Sequence, residues 1–574
     1  MSINNPLQQA MENANKWLYN RNLIINIDKT ATIRFSRKQF NTSIPLIKLN
    51  GIRIQRLQKY KFLGMVFDER LTWKYHIQYL KEKCLACSNI IKYISKKWWG
   101  AHLQILILLY NNLINSKIDY GCFLHEITYK SYYKILNSIQ YQILKQISGI
   151  NGNIAKHILI NETGSSPRIW RNYILSAKYI IKVLPNLQHP LIPKLQLLSE
   201  KYNPFKITRN TSWPTILSTF QYFINKPYIK LPMPTKYMLP YKVQYYKIQR
   251  IHTSTITNQQ IIHQIYNLNS IETTNSNISF IFTDGSKNHL NQTGAAVYNE
   301  DHKIHKHIKL PPDTSIFTAE TIAIRHALIE IKNKQITNAV ICSDSMSAIL
   351  AITKPNINIY ENWYIANSRH LFYKLDKANI HIAWIPAHRN IIDNEIVDEL
   401  AKRAAQEDNT KIHSIELPVS DFVRNYKTQL KDRRSKEWES HNNNSYYYHI
   451  QPSVLYKPWF HDRKYNRSTI TLIIQLRTKT FLTPALLYKF RKRDNPYCLC
   501  QAYGDLDHVI LGCPLNKYNI NKFLQKLRIN KKLQLPVSIA FLLNLNNNMI
   551  QDLIQFILQN RDHFKNIIKD NKSV

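Results

Sequence analysis

Apolar runs and alternations divide the middle of the chain into a regular series of elements. SFIFTD (279–284) and AVICSD (339–344) are short apolar runs that end in an acid, the pattern of buried strands. GAAVY (294–298) follows the first run closely enough to pair with it as a hairpin, and HKIHKHIKL (302–310) alternates like a third strand. TAETIAIRHALIEIKNK (318–334) repeats apolar residues at helical spacing, and NIHIAWIP (379–386) supplies a further strand. The predicted order over residues 276–407 is strand, strand, strand, helix, strand, helices, strand, helix. This is an α/β pattern.

The flanks read differently. KEKCLACSNIIKYI (81–94) has helical spacing, and its Cys84 and Cys87 read as core residues. Between residues 203 and 242 the prolines concentrate (Pro204, Pro214, Pro227, Pro232, Pro234, Pro240), which predicts a connector of limited regular structure over 186–275. SDFVRNYKTQLKDRRSKEW (420–438) reads as a basic helix behind a Ser420 cap. At 574 residues the chain is too long for one domain, and its 44% hydrophobic content is ample for buried cores. No apolar run reaches membrane-spanning length and the N-terminus lacks a signal-peptide pattern, so a soluble intracellular protein is expected, nuclear or cytoplasmic.

Charge sharpens this division. Lys and Arg number 78 against 37 Asp and Glu, a net charge of +41. Residues 276–407 contain 14 basic and 14 acidic residues, so the excess lies wholly in the flanks. Basic flanks around a neutral centre fit arms that hold a polyanion, since neutralising phosphates drives nucleic-acid affinity. Composition by itself fits a solvated basic surface equally well. Seven cysteines without a secretory signal argue against a disulfide framework; Cys342, inside AVICSD, reads as buried filler.

Four carboxylates carry the candidate chemistry: Asp284 in IFTDGSK, Glu320 in FTAE, Asp344 in ICSDS and Asp398 in NEIVDELAK. Taken singly, Asp344-Ser345 reads as a helix cap, Asp284-Gly285 as a turn and Glu320 as a first-turn acid. Taken together, acids at strand ends and a helix start can converge on one spot. Hard divalent cations take oxygen ligands, and two of them about 3.5–4 Å apart can drive phosphodiester hydrolysis. The order Asp, Glu, Asp, Asp, with His388 in WIPAHRN before the last acid, resembles the type 1 ribonuclease H domain. The resemblance implies a ribonuclease H-like mixed five-stranded sheet with flanking helices. It also implies two Mg²⁺ ions, with Mn²⁺ an alternative, on Asp284, Glu320, Asp344 and Asp398, and product release helped by His388. The chain departs from the family's usual glycines at Ala387, Asn390 and Asp393. Asp393 either perturbs the metal site or caps the last helix.

The flanks resemble the same class of element. WLYNRNLIINIDKT (17–30), KFLGMVFDERLTWKYHI (61–77), IDYGCF (118–123) and LINETGSSPRIWR (159–171) resemble the end of a reverse transcriptase from non-LTR, LINE-like (jockey/R1-type) retrotransposons. This implies a mainly helical remnant of palm end and thumb over 1–185. The paired aspartates of polymerisation would lie upstream of Met1, because the only Asp residues in the first hundred are Asp28 and Asp68 and neither belongs to an Asp-Asp pair. No polymerase activity is expected of this chain alone, which reads as a truncated element or a frame opened at an internal Met.

Beyond a basic helical segment (408–490) that carries the Leu476-Arg477-Thr478 triplet, CLCQAYGDLDHVILGCP places Cys498, Cys500, His508 and Cys513 in a C-x-C-x₇-H-x₄-C pattern. Three cysteines and a histidine complete a structural Zn²⁺ shell; buried cysteines beside a helix-facing His are the alternative. The pattern resembles the retroelement zinc motif and implies a small module over 491–530 that contacts RNA or DNA, followed by a helical tail (531–574). Two functions remain open: Mg²⁺-dependent endonucleolytic hydrolysis of the RNA strand in RNA–DNA hybrids, or a catalytically inactive remnant that only binds nucleic acid.

Overall fold

Alternation along the central strands sorts their side chains onto two faces of one sheet. A computed structural model describes residues 6–36, 46–95, 100–126, 130–150, 152–186, 188–201, 214–229, 278–353, 362–375, 377–387, 391–406, 416–442, 445–531, 537–544 and 549–568. Strands β1 (Ser279–Lys287), β2 (Thr293–Asn299) and β3 (Ile304–Leu310) form an antiparallel meander. β4 (Asn338–Ser343) runs parallel to β1, and β5 (Asn379–Trp384) runs parallel to β4. The sheet order is β5-β4-β1-β2-β3. Helices α1 (Ile316–Asn333), α2 (Met346–Thr353), α3 (Trp363–Lys374) and α4 (Ile392–Gln406) complete the order read from the sequence.

Successive residues of a strand point to opposite faces. Ile281, Val297 and Ile341 therefore pack with Ile324 and Leu328 of α1. Their neighbours Phe282, Tyr298 and Cys342 pack with Val397 and Ala401 of α4. Cys342 is fully buried, as expected of filler, and burial pushes its thiol up to about 12. Two glycines set how closely the helices approach. A Cβ on Gly294 would strike the Ala401 carbonyl of α4, and one on Gly285 would lie 2.6 Å from the Glu320 amide nitrogen of α1.

The chain divides into two compact units, one of residues 176–202 and 216–431, the other of residues 1–175, 203–215 and 432–574. Beyond the sheet, the first unit also holds a parallel bridge between Tyr228 and Leu417 and the start of α5 (Val419–Asn442). This helix begins one residue before Ser420, so Ser420 lies inside its first turn and is not its cap. The stretch 186–275 contains more regular structure than its prolines suggested, with helices at Leu191–Lys201 and Thr215–Ile224. Pro193 falls in the first turn of the former, where a missing N–H breaks no helical hydrogen bond. Residues 230–277 lie outside the described residues.

In the second unit the segments expected at 1–185, 408–490, 491–530 and 531–574 contribute to one core. Ile77, Leu106 and Ile143 share a cluster with Ile473, Val509, Phe523 and Leu553. Beside cluster residues Trp459, Leu476 and Leu543 lies a fully buried ion pair, Arg477 Nε to Glu162 Oε1 at 2.8 Å, joining LINETG to the Leu-Arg-Thr triplet. The Tyr447 hydroxyl donates to Glu162 Oε1 at 2.6 Å and the Trp459 indole to Oε2 at 2.9 Å. The remaining guanidinium nitrogens donate to the Leu543 carbonyl at 2.8 Å and to Gln451 Oε1 at 3.1 Å. Cys84 is fully buried in the same core with Cys87 packed against it, as expected for that pair. No helix among the described residues is long and apolar enough to cross a membrane.

A buried charge that loses its partner is costly. Glu162→Gln or Arg477→Met should each lower stability in urea unfolding by about 3–5 kcal/mol. The double variant should lose clearly less than the sum of the two, because no unpaired charge is left behind.

Candidate active site and metal-ligand clusters

β1 and β4 run parallel side by side, so their C-terminal ends lie at one edge of the sheet. Asp284 is on β1, paired across the sheet with Ala296, and is therefore a strand residue and not part of a turn. Asp344 directly follows β4, whose last residue Ser343 pairs with Thr283 and Trp384. Ser345 caps α2, its Oγ accepting from the Ala348 amide at 3.4 Å, so the cap read in Asp344-Ser345 is supplied by the serine. Glu320 is the fifth residue of α1, one turn in from the helix start, so the first-turn reading also falls. The contact at Gly285 brings this turn of α1 against β1.

Carboxylate oxygens of Asp284, Glu320 and Asp344 lie within 4.8 Å of one another. Asp284 and Glu320 are almost wholly buried, at 7% and 6% exposure, and Asp344 is half-buried. Burial, reinforced by Asp344 and Asp398, pushes the Asp284 carboxyl up to about 7. Burial, followed by Asp284 and Asp344, pushes Glu320 well above the usual carboxylate range. Glu320 Oε2 is buried and has no hydrogen-bond partner among the described residues. Crowded, desolvated acids with an unmatched oxygen suit a divalent cation, which restores their charge and supplies the missing partner.

Asp398 on α4 lines the same cavity of about 260 Å³, but stands outside the close triad. Its Oδ2 accepts from Lys402 Nζ at 2.6 Å, one turn along the helix. His388 and Asn390 lie outside the described residues. Ala387 lines the cavity. Asp393 sits in the first turn of α4, where burial and then Asp301 and Glu300 push the pKa of its carboxyl up.

The sequence reading missed Lys287, Asn394 and Glu395, which also line the cavity. Helical spacing could have found two of them, since Glu395 and Asn394 precede Asp398 by one turn. Lys287 reaches the Pro312 and Thr314 carbonyls at 2.9 and 2.6 Å, tying the site strand to the loop before α1. Asp421 of α5, outside the expected 276–407 boundary, accepts from the Ser315 amide at 3.0 Å and from the Thr318 hydroxyl at 3.0 Å. It thereby anchors the start of the helix that carries Glu320.

The sheet order and the acids at its edge agree with the comparison to known families, in which residues 276–406 match the RNase H model. These residues form an RNase H domain. Across 147 residues, a quarter of this chain, it is 30% identical to the "RNA-directed DNA polymerase from mobile element jockey" of Drosophila melanogaster. It is also 30% identical over 148 residues to the "Pol polyprotein" of equine infectious anemia virus. Over 77 residues, 13% of the chain, it is 31% identical to the "Retrovirus-related Pol polyprotein from type-1 retrotransposable element R1" of Bradysia coprophila. These matches span 15%, 12% and 8% of the relatives' lengths. The similarities to mobile-element polyproteins accord with the LINE-like resemblance of the sequence.

Away from the RNase H domain, Cys498, Cys500, His508 and Cys513 bring ligand atoms within 4.8 Å of one another. Cys498 and Cys513 sulfurs are 3.7 Å apart, and Cys500 Sγ is 3.1 Å from His508 Nε2. With Zn–S bonds of about 2.3 Å, tetrahedral geometry places sulfurs about 3.8 Å apart. The tight turn demanded by C-x-C closes through the Gln501 amide on the Cys498 carbonyl at 2.9 Å, with Gln501 at φ 68°. None of the cysteines is in a disulfide.

Asp284 is protonated more readily in the fold than its ordinary value of 3.8. The folded state binds the extra proton, so metal-free stability should fall as pH rises from about 4 through about 7. Differential scanning fluorimetry in chelator should show the RNase H transition dropping over this window. Millimolar Mg²⁺ should raise it more at pH 8 than at pH 5, and Asp284→Asn should flatten the fall.

Proposed function

We propose that the chain cuts the RNA strand of RNA–DNA hybrids, leaving 5′-phosphate and 3′-hydroxyl ends, with Asp284, Glu320, Asp344 and Asp398 holding two Mg²⁺ ions; Mn²⁺ is the alternative. The observation that carries this reading is the close triad of carboxylates, two of them buried, with an unmatched Glu320 oxygen, inside an RNase H domain. Bound divalent ions would activate the attacking water and neutralise the leaving oxygen. The chain's own contribution is to hold three acids close together at the sheet edge and to fix α1 through Gly285 and Asp421. Asp398 completes the set once Lys402 swings aside, and His388 is assigned to product departure. Discrimination for RNA would rest on 2′-hydroxyl contacts in the hybrid's minor groove. The basic flanks supply the grip that the neutral domain lacks.

One observation favours the inert, binding-only reading: Asp398 is engaged by Lys402 and lies outside the triad. Polymerisation is not proposed for this chain, since Asp68 spends its carboxylate on the amides of Thr72 and Trp73 before the helix Lys74–Ile94. The Cys498, Cys500, His508 and Cys513 set is proposed to bind a structural Zn²⁺, pinning a module that contacts RNA or DNA.

Purified full chain with Mg²⁺ should cleave a labelled hybrid, and Asp284→Asn should reduce the rate by about 100-fold or more, the scale of losing a group that stabilises developing charge. Salt-sensitive hybrid binding without turnover, or turnover unchanged in Asp284→Asn, would overturn the nuclease reading. For zinc, one equivalent of metal should survive gel filtration and be lost in Cys500→Ser. A strong chelator should lower the melting temperature of the parent and leave that variant unaffected.

A further inference from the structure

A second cavity, of about 350 Å³, lies within the unit formed by residues 1–175, 203–215 and 432–574. Its size is at the small end of the ~300–1,000 Å³ range of ligand sites. The walls are rich in flat rings, contributed by Trp170, Trp438, Tyr141 and His157. Hydrogen bonds hold three of these rings in place. The Trp170 indole donates to Glu437 Oε2 at 3.1 Å, and the Trp438 indole to the Pro452 carbonyl at 3.1 Å. The Tyr141 hydroxyl donates to the Ile154 carbonyl at 3.0 Å and accepts from the Ile154 amide at 3.2 Å.

Fixed aromatic walls favour a flat ligand that stacks, because no side chain must be ordered on binding. The polar groups on the lining limit the choice further. The Glu437 carboxylate and the Asn137 amide can meet the N–H and carbonyl edge of a heterocycle, which a hydrocarbon would leave unsatisfied. Lys156, also on the lining, is exposed and offers a cation to a phosphate.

We propose that this cavity takes a single unstacked nucleobase, with the phosphate of its nucleotide at Lys156, so that the unit holds a single-stranded nucleic acid by one inserted base. Guanine suits the lining best, since its adjacent N1–H and N2–H₂ donors face an acceptor-only carboxylate. The site shares no residue with the acids of the RNase H domain and does not depend on their activity.

Calorimetric titration of the full chain with guanosine 5′-monophosphate and with guanosine tests it. Saturable binding of the nucleotide is expected. Trp170→Ala should weaken it by about tenfold or more, and Trp170→Phe, which keeps a stacking ring, should retain most of it. Lys156→Ala should weaken the nucleotide by about tenfold and leave guanosine unchanged. Melting curves check folding; should Trp170→Ala prove unfolded, the exposed Lys156→Ala decides. No saturable binding of the nucleotide, or binding unchanged in folded Lys156→Ala, overturns the proposal. Nucleotide binding without hybrid cleavage would leave it standing and remove only the nuclease reading.

Discussion

The ion pair between Glu162 and Arg477 ties together parts of the chain 315 residues apart. Both side chains are fully buried, a placement that is unfavourable unless every donor and acceptor is matched. Here Tyr447, Trp459, Gln451 and the Leu543 carbonyl match them. Each partner comes from the C-terminal portion, so Glu162 is satisfied only when that portion has folded onto the N-terminal helices. The N- and C-terminal portions thus form one folding unit, with the RNase H segment inserted between them in sequence.

Within the RNase H domain the governing constraint is electrostatic. Asp284, Glu320 and Asp344 are crowded together and two of them are nearly out of water, an arrangement that works against the fold unless protons or cations join it. The scaffold tolerates it because the strain is confined to one sheet edge. Below that edge, Ile281, Val297 and Ile341 pack against α1, and Phe282, Tyr298 and Cys342 against α4. Gly285 and Gly294 set the closeness of these helices, and Asp421 fixes the start of α1 from outside the matched domain. A site that is unfavourable without its metal is the usual compromise between stability and function.

Much of this was legible. Period-two alternation gave the strands, helical spacing gave α1 and α4, and acids at strand ends pointed to one edge. The limits were geometric. A one-dimensional pattern placed Glu320 at the helix start, although the helix begins at Ile316, where Ser315 caps it. It gave Asp398 the same standing as the other acids, because the 2.6 Å contact with Lys402 depends on rotamers that sequence does not specify. It divided the flanks into separate segments because nothing local in LINETG or in Leu476-Arg477-Thr478 indicates the other as its partner. Prolines suggested an irregular connector, and a helix formed where Pro193 could sit in its first turn.

The amino-acid sequence by itself determined the order of elements in the RNase H domain, the identity of its acids and the Cys-Cys-His-Cys set. These follow from periodicity and residue chemistry, which act over a few residues. Tertiary structure alone decided that three of the four acids close into a triad, that Asp421 supports it, and that Glu162 meets Arg477. Such contacts depend on burial and on close approach between elements distant in the chain. Their energies arise only when water has been excluded from both partners at once.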